Sequence, residues 1–148
     1  MAGVLFEDLF IIKVIDPDGK KFEKVSRIHC HSESLRVNLV LDVATHYYSM
    51  FSGEKFRLVL ASTLNEDGKP ASNYYNRLEK LPSYTDHFDY VAHGKVYRVD
   101  GKNNENSELL LVYASFGGLL MRLSGHSSAL DSIEKGQDIY LLIKKIAF

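Results

Sequence analysis

Apolar and polar residues alternate with a period of two along much of this 148-residue chain. The clearest run is 35–43, with Leu35, Val37, Leu39, Leu41 and Val43 on one face and Arg36, Asn38, Val40 and Asp42 on the other. Successive side chains leave opposite sides of a pleated backbone, so this pattern predicts a half-buried strand. Residues 55–64 predict another, with Phe56, Leu58 and Leu60 opposing Arg57, Val59 and Ala61. Residues 4–14 read as an opening strand. Residues 20–28 read as an exposed strand running on to His29, Cys30 and His31, before a polar break at 32–34. Residues 88–100 and 139–146 complete the set, with Gly94 marking a bulge or a close backbone approach.

Residues 109–123, LLLVYASFGGLLMRL, break the alternation with two apolar runs hinged at Gly117-Gly118. Neither run has the polar positions of a helix with one wet face, and each has the length of a strand. Glycine opens backbone angles closed to other residues, so the stretch is two core strands joined by a tight turn, or one strand sharply bent at a bulge. Asp16-Pro17-Asp18-Gly19 and 52–54 are turns, 101–108 is a polar hairpin tip, and 65–87 is a long loop without steady period. Residues 125–128 read as a loop, and Ser128 as the cap of one helical turn through Leu130 and Ile133 that closes at Gly136. About eight short strands with no long amphipathic helix predict an all-β fold, an antiparallel sandwich or a closed barrel.

Composition changes this picture little. Nine Tyr and eight Phe against three Pro fit a β-rich chain, and the length fits a single domain spanning 1–148. Charge is more informative. Eighteen Lys and Arg against nineteen Asp and Glu leave a net of −1, without the basic excess typical of proteins that neutralise phosphates. One cysteine, Cys30, cannot form an internal disulfide, which favours a reducing compartment. The first eight residues lack a secretory pattern, and no apolar run is long enough to span a bilayer, so no membrane partner is expected.

Catalytic chemistry finds no foothold. His29-Cys30-His31 places the histidines on one strand face and the cysteine on the other, with no second cysteine for a structural zinc site. The expectation is no metal and no cofactor. A nucleophile elbow and a phosphate-cradling loop are both absent, since Leu119, Leu120 and Met121 follow Gly117-Gly118. No catalytic residue is assigned. One sharper reading is compatible with the composition: a small barrel that stacks single-stranded nucleic acid on aromatic rings beside cations. Its candidate contacts are Lys95, Tyr97 and Arg98, within a wider set that includes Tyr113, Arg122 and Lys144. Tyrosines alternating along strands are nonetheless more often barrel wall than stacking platform.

Residues 88–98, 113–123 and 140–148, together with Leu5-Phe6-Glu7-Asp8, Asp16 to Phe22 and Gly53 to Leu58, resemble the eighth subunit shared by eukaryotic nuclear RNA polymerases I, II and III. The resemblance covers essentially the whole chain, and the Gly-Gly-Leu-Leu-Met block is specific to that family. It departs where Ala44 stands for the usual Asn and Tyr48-Ser49 for Tyr-Pro, and over 69–81. It implies an eight-stranded antiparallel barrel related to the oligonucleotide-binding fold, with a long loop. It further implies a noncatalytic assembly subunit in the nucleus, nucleoplasm and nucleolus alike, docked on the largest RNA polymerase subunit and its neighbours. The docking element would be Phe116, Gly117, Gly118, Leu119, Met121 and Arg122, with Phe116, Met121 or Arg122 reaching outward. Weak single-stranded nucleic-acid binding is associated with the fold, and a free-standing nucleic-acid-binding module is the alternative reading.

Overall fold

The computed structural model describes residues 3–16, 24–34, 37–63, 88–101 and 109–146. Eight strands run β1 (Val4–Ile15), β2 (Ser26–Ser32), β3 (Val37–Val43), β4 (Lys55–Ala61), β5 (Tyr90–Asp100), β6 (Leu109–Phe116), β7 (Leu119–His126) and β8 (Asp138–Ile146), with one short helix, α1 (Ser127–Leu130), before β8. They close into a barrel in the order β1-β2-β3-β7-β6-β5-β8-β4, and every pairing is antiparallel. Of the two architectures open to the sequence, the chain adopts the closed one, in which each of the eight described strands has a partner on both sides.

The period of two decides what fills the barrel. Val37, Leu39, Leu41 and Val43 point inward, as do Phe56, Leu58 and Leu60, Val112 and Ala114, and Leu141 and Ile143. Phe10 and Phe56 stack at 5.9 Å between centroids at the heart of this cluster. Leu130 and Ile133 add to the core from α1 and the segment after it, at the far end of β7 from the Gly117-Gly118 turn.

Several expectations are corrected. Gly125 and His126 belong to β7 and not to a loop, and the cap of α1 is His126, whose imidazole accepts from the Ser128 N–H. Ser128 lies inside the helix. Val59 and Ala61, read with the outward set of β4, are buried from outside with Leu142 under Val4, Phe88, Val91 and Tyr140. Of the two readings of Gly94, the close backbone approach holds. A Cβ built there would fall 2.6 Å from Phe116 Cδ1, so the ring lies directly on the glycine backbone. The bulge in β5 falls at Tyr97 instead, where the pairing with β6 skips from Val96 to Arg98. The turn at 17–19, the loop at 65–87 and the polar tip at 102–108 lie outside the described residues.

Candidate docking surface

The β6–β7 hairpin is a two-residue turn between the facing pair Phe116 and Leu119. Gly117 and Gly118 have φ of +63° and +97°. Two successive left-handed residues are what the twist of a tight hairpin requires, so of the two readings of 109–123 the hairpin holds. The Gly118 N–H donates to Ser115 Oγ at 3.3 Å.

A two-residue turn fixes which side chains share a face. Phe116, Ala114, Met121 and Leu123 all face the core. Phe116 is 6 % exposed and Met121 only 1 %, so neither of them projects outward; their expected reach toward a partner is replaced by packing inside the barrel. Leu119 is half-buried against the core. The outward face carries Tyr113 opposite Arg122 and Ser115 opposite Leu120. Leu120 is 41 % exposed, a large apolar side chain beside the exposed Gly117-Gly118 tip. Of the six docking candidates, the tip glycines and Arg122 are on the surface. Leu120 and Tyr113 are the neighbours that sequence reasoning passed over.

The hairpin is pinned beside its tip. Asp42 on β3, read from the alternation as a wet position, is 8 % exposed. Its carboxylate accepts Arg27 Nε at 2.7 Å, Arg27 Nη2 at 3.1 Å and the Leu120 backbone N–H at 3.0 Å. Three donors on one buried carboxylate make charge-assisted bonds that also fix orientation. The Asp42 carboxylate therefore holds β2, β3 and the start of β7 in one arrangement.

The proposed nucleic-acid trio sits one strand over, on the outside of β5. The bulge at Tyr97 leaves two consecutive residues, Tyr97 and Arg98, both exposed. Their partners are already in place. Arg98 Nε donates to Asp100 at 2.9 Å, which raises the guanidinium pKa, and its head lies 5.4 Å over the Tyr113 ring. Tyr97 is 45 % exposed, yet its ring meets Tyr113 at 6.0 Å. Lys95 approaches Asp138 at 3.9 Å. The structure brings the trio together on one surface, with a carboxylate beside each cation.

The other singled-out groups have structural employment. Cys30 is buried and unpaired, and burial pushes its thiol up to about 12. A thiol so raised is a poor nucleophile. Tyr48 is raised by burial and by Asp89, whose carboxylate accepts a hydrogen bond from its hydroxyl at 3.2 Å. Tyr90 accepts from the Ala44 N–H at 3.3 Å, so these two tyrosines tie the segment after β3 to the barrel. Among the described residues, no three His, Cys, Asp or Glu side chains group as metal ligands, and no helix is long and apolar enough to cross a membrane.

Fold and surface together define a closed antiparallel barrel with a glycine-tipped hairpin whose apolar and cationic side chains face outward. The family model described as RNA polymerase Rpb8 matches residues 7–145, and the chain belongs to that family. It is 47% identical over 145 residues to the Dictyostelium discoideum protein named DNA-directed RNA polymerases I, II, and III subunit rpabc3, covering 98% of this chain and 99% of that one. It is 44% identical over 149 residues to the Caenorhabditis briggsae protein named as the probable RPABC3 subunit of the same polymerases, covering all of both chains. The Saccharomyces cerevisiae RPABC3 subunit is 32% identical over 152 residues, covering 98% of this chain and 100% of that one.

Proposed function

We propose that this chain is a shared, noncatalytic subunit of the nuclear DNA-directed RNA polymerases I, II and III, and that it works in assembly and scaffolding. Its match to the Rpb8 family over 7–145, with relatives named as RPABC3 subunits aligned along their full lengths, carries this reading. Residence in the nucleus, nucleolus included, follows from membership in those three polymerases. On this reading residues 1–148 act as one domain. It docks on the largest polymerase subunit through the outer face and tip of the β6–β7 hairpin, where Gly117, Gly118 and Arg122 lie beside Leu120.

Pinning of the hairpin by Asp42 supports the docking role, because a preorganised edge loses less conformational entropy on association than a loose one. Co-expression with the largest polymerase subunit tests it. Stable co-purification that falls on replacing Leu120 with Asp is the expected result. A chain that stays monomeric beside that subunit overturns it.

The free-standing nucleic-acid module keeps one supporting observation, the adjacent exposure of Tyr97 and Arg98 at the β5 bulge. Against it, Asp100 and Asp138 already lie against the two cations of the trio, at 2.9 and 3.9 Å. Salt-sensitive binding of short single-stranded oligonucleotides, lost on Tyr97→Ala, would favour that reading.

A further inference from the structure

The outer wall of the barrel holds a second feature, a groove of about 470 Å³ across β1, β2, β3, β7 and β6. Its wall includes Lys13, His29, His31, Asn38, Arg122 and Ser124, and it contains no carboxylate. Cross-strand register builds it. One row across the wall runs Tyr113, Arg122, Val40, His29 and Val14, and the next runs Leu111, Ser124, Asn38, His31 and Ile11. A bulge in β1, where the pairing with β2 skips Lys13, brings that lysine out to the same side.

The groove's lining has cations and no carboxylate. Several cations elsewhere on the barrel lie on carboxylates: Arg27 on Asp42, Lys55 on Glu33, Arg57 on Glu7 and Arg98 on Asp100. Among the described residues the Lys13 and Arg122 side chains have no such partner. The Nε2 of His29 is out of contact with solvent and without a hydrogen-bond partner among the described residues.

We propose that this groove binds an extended acidic peptide segment of a protein partner. Two carboxylates would meet Arg122 and Lys13, while Val40 and Leu111 supply apolar floor between them. Arg122 and Lys13 stand three strand spacings apart, roughly 14 Å, which an extended chain covers in about four residues. A peptide is favoured over single-stranded nucleic acid because the chain has a net charge of −1, without the basic excess that phosphate neutralisation draws on, and Lys13 and Arg122 are the groove's two cations apart from its histidines. The groove shares Arg122 with the proposed docking face, and Lys13, on β1, belongs to the groove alone, so Lys13→Glu separates this inference from the polymerase role.

Fluorescence anisotropy on the isolated full chain tests it, with a labelled decapeptide carrying two glutamates four residues apart in a Ser, Gly and Val background. Saturable, salt-sensitive binding is expected, abolished when both glutamates become glutamine. Lys13→Glu and Arg122→Glu should each weaken it at least tenfold, whereas Lys144→Glu, on β8, should change it less than twofold. Amide shifts at Asn38, Val40 and Ser124 on titrating the peptide into the unmutated chain locate the site even if a variant proves unstable. Absence of binding at millimolar peptide, or binding indifferent to both groove variants, overturns the proposal. Tighter binding of a labelled ten-residue oligothymidine, lost in the same variants, overturns it in favour of nucleic acid.

Discussion

The two faces of the β6–β7 hairpin are made from one stretch of sequence and answer to different constraints. Its inner face, Ala114, Phe116, Met121 and Leu123, is sealed in the core, and Phe116 lies directly on the backbone of Gly94. Its outer face, Tyr113, Ser115, Leu120 and Arg122, is met by Tyr97 and Arg98 from β5, which lie against Tyr113, and by Asp42, which accepts the Leu120 N–H. Both faces are rich in large side chains, so hydrophobicity alone does not separate them. Parity about the turn does. The inner set is constrained by packing, where a single methylene is felt, and the outer set is free to be chosen for a partner.

The sharpest way to break this division is at Gly94. A side chain there has no room beneath Phe116, so Gly94→Val should prevent folding or cost more than about 3 kcal/mol, through overpacking beyond the usual range. Circular dichroism and denaturant titration would show it, and a cooperative fold of normal stability would mean that the ring does not bear on the glycine. Met121→Ala comes next, with an expected loss of about 2–5 kcal/mol from a cavity in the core. A loss under about 0.5 kcal/mol, the usual surface range, would place that side chain outside.

Gly118 sharpens the comparison because its constraint is angular and not spatial. An added Cβ there meets nothing within 4 Å, yet φ is +97°. Gly118→Val should therefore cost about 1–2 kcal/mol from backbone strain alone. Gly118→Asn should cost less, since asparagine tolerates the left-handed region. Equal stability of the two variants would contradict that account. On the outer face, Arg122→Glu should change stability by no more than about 0.5 kcal/mol in thermal unfolding. A larger loss would show that this face is structural too.

Cys30 gives an effect confined to alkaline pH, absent at neutrality, and a sign that can be worked out. Its folded thiol is raised to about 12, while an exposed thiol in the unfolded chain ionises near its ordinary value of 9.0. Below that value both states hold the proton and stability does not depend on it. Above it only the unfolded chain releases the proton, so stability falls with rising pH between about 9 and about 12, with a limiting slope of about 1.4 kcal/mol per pH unit. Cys30→Ala should flatten that part of the profile relative to the unmutated chain. An unchanged profile would show that the thiol is not shielded.

Much of the barrel was legible because alternation reports burial directly. Val37, Leu39 and Leu41, and Phe56, Leu58 and Leu60, all point where the pattern puts them. What escaped was set by partners distant in sequence. Asp42 sits at a wet position of β3 and is buried only because Arg27 and the Leu120 N–H converge on it. Val59 and Ala61 are covered by residues from β1, β5, β8 and Phe88 that no local window contains. His126 caps α1 with an imidazole, outside the usual set of capping side chains, so Ser128 drew the assignment.

The docking set shows a different limit. The glycine pair marked the turn correctly, and a two-residue hairpin then fixes the pairing of Phe116 with Leu119 and of Ser115 with Leu120. One buried residue was still needed to say which pair faces in. The groove was harder to see, since His29, Arg122 and Lys13 come from three separate strands and only the closed ring sets them side by side.

The measurement that bears most directly on the outer face as a docking surface is co-purification of this chain with the largest subunit of a nuclear RNA polymerase. The comparison is between the unmutated chain and a Leu120→Asp, Arg122→Glu double variant first shown to unfold at the same denaturant midpoint. Capture of the subunit by the unmutated chain, and at least a tenfold drop with the folded variant, is the result predicted. Equal capture by both chains would contradict it, and would move the contact to another part of the barrel.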